Sequence, residues 1–311
     1  MRRLQPELSS PGVDEPLVVP ADANGARLDV WLGSTLGVGR RAAVRLVERA
    51  RVNGHRSGKG ARLATGDEVT LDPPASLDDD LTARDLALRV GRDVIVLDKP
   101  AGIATTALPG RAGPSLAAWL AARHPECADV GRPGESGLVH RLDTGTSGIV
   151  LAARNASAYE ILREQFHRHE IEKTYVAVVH GRLDRELDLD GAIGQHPKSR
   201  RRMRIVPSTP AGERYSSQPA RSIVAPVRAL ADTTLVRVRT RTGVRHQVRV
   251  HLASAGHPLL GDVLYGGEPL GDVGGFLLHA ETLAWRDVDG TRGEALSPLP
   301  SHWDERMTRF A

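Results

Sequence analysis

Cysteine is almost absent: Cys127 is the only one in 311 residues. A lone thiol forms no internal disulfide and no cysteine-based zinc site, so Cys127 is expected to be an ordinary loop thiol. Lysine occurs only at Lys59, Lys99, Lys173 and Lys198, so arginine supplies nearly all of the 42 basic residues. No run approaches the ~18 consecutive apolar residues of a membrane span. The basic start Met1-Arg2-Arg3 has no apolar segment after it, unlike a secretory leader. The chain is therefore expected to be cytoplasmic, with no membrane partner. Glycine (32) and proline (20) are too sparse for a low-complexity chain.

What is present is a folded-type composition, 40% apolar and 26% charged, at a length that suggests about two domains. Net charge is only +4, but the basic side chains are arginines, which suit planar phosphate and base contacts.

Residues 1–22 have no periodicity and read as a flexible tail. Residues 23–73 read as a small module. Asn24-Gly25 is a turn before a short helix from Arg27. A second helix spans Arg40 to Arg51, with Arg41, Arg45 and Arg49 at i, i+4 and i+8 on one face. Asn53-Gly54 is a hairpin-type turn, and Gly66-Asp67 precedes the strand Glu68–Leu71. Residues 74–89, rich in proline and aspartate, read as a linker.

From residue 90 onward strands dominate: Asp93–Leu97, Gly148–Ala152, Thr174–Val179 and Thr234–Thr240, the last alternating Val236 and Val238 with Arg237 and Arg239. Asn155 or Ser157 caps a helix to Arg168 with the apolar stripe Ala158, Ile161, Leu162 and Phe166. Arg245 to Ala255 is a further helix, stopped by Gly256 with Pro258 beyond. The pattern predicts an α+β fold with a mostly antiparallel, mixed sheet.

Three segments carry the chemistry. In Gly137–Gly148 an apolar strand delivers Asp143 to a tight turn at a sheet edge, beside Arg141. In Arg241–Leu252, Arg245 and Arg249 share a helix face; an arginine beside a buried carboxylate favours its charged form. The spacing of His246 and His251 fits no zinc site. Tyr175 lies in the strand Thr174–Val179.

Together the motifs resemble the RluA-type family of RNA pseudouridine synthases. His140-Arg141-Leu142-Asp143-Thr144-Gly145-Thr146-Ser147-Gly148 resembles the family signature. Asp98–Gly102, Lys173–Ala177, Thr242–His251, Gly256–Asp262, Tyr265-Gly266 and Leu277–Ala280 resemble its other motifs, in the family's order across residues 90–300. Val244 stands where the family usually has arginine, with Arg245 one place later. The order of elements in residues 23–73 resembles the small RNA-binding domain of ribosomal protein S-four, although Glu48 and Ala50 replace its usual glycine and valine.

The resemblance implies a catalytic domain over 90–311 that converts uridine to pseudouridine in structured RNA. The N-glycosidic bond breaks, uracil rotates, and C5 joins C1′, without cofactor or metal. It implies Asp143 as the catalytic carboxylate, Arg249 as its partner, and Tyr175 stacked on uracil and able to help remove the C5 proton. It also implies that Arg141 fills the space left by a flipped base. The arginines Arg200, Arg201, Arg202 and Arg245, with Arg41, Arg45 and Arg49 of the N-terminal module, would bind RNA. A monomer acting on large-subunit ribosomal RNA is expected. Transfer RNA, or an idle RNA-binding assembly factor on the same fold, are the alternatives. A glycoside hydrolase would need a second carboxylate across the bond, which these motifs lack.

Overall fold

The computed structural model describes residues 16–37, 43, 46–47, 50–58, 60–71, 81, 84–107, 114–207, 216–270, 275–301, 303 and 307. They form two compact units. The first contains β1 (Leu17–Val18), α1 (Leu28–Thr35), β2 (Ala50–Val52), β3 (His55–Arg56) and β4 (Glu68–Leu71), with strand order β1-β4-β2-β3. Asn53 (φ 50°) and Gly54 (φ 79°) both take the left-handed turn conformation that joins β2 to β3. Leu28, Trp31, Leu32, Val47 and Val69 fill the core of this unit.

Two expectations need correction here. The tail ends earlier, because Leu17 and Val18 pair with Val69 and Glu68, and Val19 is buried in the core. A two-residue strand leaves no periodic signal. The second helix does not reach Arg51, since Ala50–Val52 is β2 and pairs with β4. Arg41, Arg45 and Arg49 lie outside the described residues, as does most of the expected linker.

The second unit is built on a nine-stranded sheet. Its strands are β5 (Ala87–Val90), β6 (Val94–Lys99), β7 (Ser147–Ala153), β8 (Glu172–His180), β9 (Leu187–Asp190), β13 (Arg221–Ala229), β14 (Thr233–Thr240), β15 (Leu278–Arg286) and β16 (Arg292–Leu296), which lies beside β15. Their order is β5-β6-β7-β15-β8-β14-β13-β9, antiparallel throughout except for β7 with β15. A small three-stranded sheet of β10 (Ile193–Gln195), β11 (Met203–Ile205) and β12 (Ser217–Gln218) is separate. Helices α2 (Leu116–Arg123), α3 (Ala156–His167) and α4 (Gln247–Ser254) complete the unit. β5 begins at Ala87, inside the expected linker. It is an edge strand with Leu88 and Val90 exposed, and its pairing is interrupted after Ala87, so no buried alternation marked it.

Period-two alternation assigns the faces. On β8, Ala177 and Val179 pack with Val248 and Leu252 of α4, whereas Val176 and Val178 pack against Trp303 and Met307. Tyr175 shares the α4 side. All seven residues of β7 are buried. Asn155 caps α3 by accepting from the Ala158 amide. Buried Ala158, Tyr159 and Leu162 of α3 meet Val96, Ile149 and Leu151 of the sheet. Each such aliphatic side chain contributes roughly 1.5–3 kcal/mol by leaving water.

Candidate active site

Asp143 sits in the turn just ahead of β7. β7 lies inside the sheet, so the aspartate is at the end of an interior strand and not at a sheet edge, as its sequence suggested. The approach, residues 138–142, is not the strand that was expected. It joins the sheet through one bridge, Leu138 to Ala152, and a 3.2 Å bond from the Val139 amide to Leu151. A side chain takes the place of a strand neighbour: the Thr105 hydroxyl donates to the Leu142 carbonyl (2.8 Å) and accepts from its amide (3.1 Å).

Lys99, at the end of β6, is fully buried. Its Nζ donates to the carbonyls of Pro100 (2.9 Å), Ile103 (2.9 Å) and Thr144 (3.3 Å). The ammonium thus ties the loop after β6 to the residue following Asp143. Burial pushes its pKa down to about 7, against the pull of Asp143 and Asp98. Gly148 permits the next close approach. Its φ is +109°, and a Cβ there would stand 2.3 Å from the Ala280 carbonyl oxygen of β15.

Arg249 is the hub on the opposite wall. Its Nη1 donates to Asp143 Oδ2 (3.0 Å), while Nε and Nη2 hold Asp262 in a fork at 2.7 and 2.8 Å. Its guanidinium lies 4.3 Å from the centre of the Phe276 ring and 5.0 Å from that of Tyr265. Burial works against its charge, but Asp262 and Asp143 outweigh it and hold the pKa above the ordinary arginine value.

His246 precedes α4 in a left-handed conformation, φ 57°. This separates Arg245 from the helix, which begins only at Gln247, so Arg245 and Arg249 do not share a helix face. Arg245 is exposed, with Nη1 3.5 Å from the Arg200 carbonyl. His246 Nδ1 is 2.8 Å from the Tyr265 hydroxyl and Nε2 is 3.8 Å from Asp143 Oδ1. Burial lowers its pKa to about 4, so it is neutral near pH 7. His251 points elsewhere, to Ser222 and the Gly191 carbonyl.

Tyr175 faces the same space from β8. Burial first, and Asp143 second, raise its hydroxyl above the ordinary tyrosine value, so it stays protonated. His140 is a structural acceptor. Its Nε2 takes the Leu151 amide at 3.0 Å, its ring stacks on Phe166 at 4.6 Å, and burial lowers its pKa to about 3.

The structure thus brings Asp143, Tyr175, Arg249, Arg141 and Arg245 around one cavity of about 610 Å³, within the roughly 300–1,000 Å³ range of small-ligand pockets. Arg163 and buried Lys173 also line it. Among the described residues, Arg141, Arg163 and Arg245 make no ion pair. By contrast Arg237, Arg239 and Arg241 are paired with Glu281, Glu186 and Glu172. Arg200, Arg201 and Arg202 are exposed in the turn between β10 and β11 and do not line the cavity. The sequence motifs contained Lys99, His246, Asp262 and Tyr265 without revealing their roles. The one available signal was scarcity: Lys99 and Lys173, two of the chain's four lysines, are buried.

The profile of the RNA pseudouridylate synthase family matches residues 93–254, the span that carries Asp143, Tyr175 and Arg249. The chain belongs to that family. This pseudouridine synthase is 35% identical to an uncharacterized RNA pseudouridine synthase of Mycobacterium bovis, covering 93% of this chain and 95% of the relative. It is 31% identical to the ribosomal large subunit pseudouridine synthase D of Xanthomonas campestris pv. campestris, over 94% and 91% of the two chains. Among solved structures it resembles human RNA pseudouridylate synthase domain containing 1. That match has a TM-score of 0.58 and 25% identity, and covers 70% of this chain and 85% of that one. The relatives place the synthase with the RluA type, and its α+β architecture with a mixed, mostly antiparallel sheet is that of pseudouridylate synthases.

Proposed function

We propose that this RNA pseudouridine synthase acts on large-subunit ribosomal RNA, with Asp143 as its catalytic carboxylate. The observation that carries the site is the meeting of Asp143, Arg249 and Tyr175 in one cavity that Arg141, Arg163 and Arg245 also line, three arginines that make no ion pair among the described residues. The target reading is supported by relatives whose names specify the ribosomal large subunit.

A stacked uridine cannot reach a carboxylate at the floor of a cavity. It must be flipped out, at a cost of a few kcal/mol. Arg141, exposed at the mouth, can occupy the vacated stack, while Arg200, Arg201, Arg202 and Arg245 meet phosphates. Within the cavity the N1–C1′ bond breaks, the freed uracil turns, C5 bonds to C1′, and the C5 proton departs as N1 regains one. Asp143 faces this exchange with Arg249 fixing its orientation. Tyr175 serves as the stacking wall. Its raised pKa argues against a phenolate acting directly as the base for C5.

The test is Asp143→Asn, assayed by tritium release from RNA labelled at uridine C5, alongside pseudouridine mapping in cells with and without the gene. Loss of turnover with RNA affinity kept within about tenfold, and a lost site in large-subunit RNA, are expected. Turnover by the variant would refute the role of Asp143. A lost site in transfer RNA would refute the target.

A further inference from the structure

A chain of polar contacts runs from the turn end of the β10–β11 hairpin to the catalytic carboxylate. The Met203 amide, at the first residue of β11, donates to the Tyr265 hydroxyl oxygen at 2.8 Å. That hydroxyl lies 2.8 Å from His246 Nδ1, and His246 Nε2 lies 3.8 Å from Asp143 Oδ1. Tyr265 is 9% exposed, and its ring has Arg249 on it at 5.0 Å and Arg202, from the hairpin turn, at 5.7 Å.

The proton positions along this chain follow from valence. Neutral imidazole carries one N–H. If it were on Nδ1, the phenol oxygen would accept twice with its own proton unplaced, and the bare Nε2 lone pair would face the carboxylate. If it is on Nε2, the Tyr265 proton goes to Nδ1 and the Nε2–H faces Asp143. The second arrangement gives the Tyr265 proton an acceptor and turns an N–H, not a lone pair, toward the carboxylate. We infer that Tyr265 is a positioning residue that holds His246 in the Nε2–H tautomer against Asp143, and so makes the carboxylate's setting depend on the seating of the Arg200–Arg202 hairpin. The inference rests on the proposed role of Asp143.

The coupling has a functional sense. The hairpin turn carries three exposed arginines next to the segment that holds Tyr265. Phosphates that draw the hairpin in would tighten the Met203–Tyr265 contact. The same uridine bound without a correctly placed backbone would meet a less ordered carboxylate. RNA shape would then be read in the rate as well as in the affinity.

The test compares Tyr265→Phe, His246→Gln and the double variant in the full chain, with folding checked by circular dichroism. Single-turnover rates at saturating enzyme are measured from pH 5.5 to 8.5, and RNA affinity separately. Phenylalanine keeps the ring on Arg249 and removes only the hydroxyl. The groups around His246 are Asp143, Asp262, Arg245 and Arg249. In Tyr265→Phe the imidazole is free to turn its lone pair to Asp143, and burial, which holds its pKa at about 4, keeps it neutral across this range. The expected result is a rate at least about tenfold lower throughout this range, with affinity within about twofold. His246→Gln offers an amide N–H to Asp143, so adding Tyr265→Phe to it should change the rate by less than about twofold. A loss that persists in the His246→Gln background would mean that Tyr265 acts by packing alone and would overturn the inference, as would a Tyr265→Phe rate near that of wild type. Nitrogen-15 NMR of the wild-type histidines separates this from the question of Asp143. An Nδ1–H tautomer at His246 overturns the inference whatever Asp143→Asn does. The Nε2–H tautomer together with an active Asp143→Asn would leave the contact standing and refute the catalytic reading it serves.

Discussion

Asp262→Asn offers a direct test of how the site is held. Asp262 is 2% exposed and accepts both Nε and Nη2 of Arg249. Asparagine keeps the shape but has one oxygen. Its amide nitrogen would face a guanidinium N–H, so one bond is lost and the other becomes a bond from a charged donor to a neutral acceptor. A hydrogen bond to a charged group contributes about 1.5–3 kcal/mol, and a neutral one about 0.5–1.5. The loss is therefore about 2.5–4.5 kcal/mol. It should stay below the worst case of a broken buried pair, about 3–5 kcal/mol, because Asp143 still partners Arg249. For a domain of roughly 150–250 residues each kcal/mol moves Tm by about 2–4 °C, so a drop of about 5–18 °C is expected in a thermal melt of the full chain. Arg249, held from one side only, should also swing from Asp143 and lower the single-turnover rate. A Tm within about 2 °C of wild type would refute the claim that the Asp262 fork anchors Arg249.

Lys99→Met removes an ammonium whose pKa burial lowers to about 7 in the folded chain. Between that value and the unfolded value near 10.4 the unfolded state binds more protons, so Lys99 makes stability rise with pH by at most about 1.4 kcal/mol per unit. Urea unfolding should show the wild type gaining on Lys99→Met from pH 7 to 10, and a constant difference would count against a buried titrating amine. Replacing Arg200, Arg201 and Arg202 by alanine should weaken RNA binding and flatten the slope of log affinity against log salt by about 0.7–0.9 for each phosphate no longer neutralised. An unchanged slope in filter binding at several salt concentrations would remove the hairpin turn from the RNA-binding surface.

The long, strongly patterned elements were legible in the sequence because their signals are local. The Asn155 cap, the stop at Gly256, and the alternation along β8 and β14 each depend on residues within one element. Asp143, Tyr175 and Arg249 were visible because each sits in a motif with its neighbours. The rest depends on contacts that no spacing encodes. Thr105 replaces a strand beside Leu142 from 37 residues away. Lys99 gathers carbonyls from two turns. Asp262 takes the Arg249 fork from 13 residues further along the chain, in a separate motif. The helix expected from Arg245 starts two residues later because His246 takes a left-handed conformation to reach Tyr265, a preference that helical periodicity does not register.

The place of β15 has a consequence for how the chain is made. It lies between β7 and β8, pairing parallel with one and antiparallel with the other. Until residues 278–286 have been synthesised, β5-β6-β7 and β8-β14-β13-β9 are two separate ribbons, each with an unpaired strand edge. The missing seam runs beside Tyr175 and the turn bearing Asp143. A nascent chain, or one clipped before Leu278, would therefore carry every motif residue from His140 to Asp262 and still lack a continuous floor beneath them. It would present two open backbone edges to its neighbours, the kind that aggregate unless covered. Pairings this distant in sequence also slow folding. Dependence on chaperones during synthesis, and sensitivity to changes in β15 far from any reacting atom, would come from strand order alone.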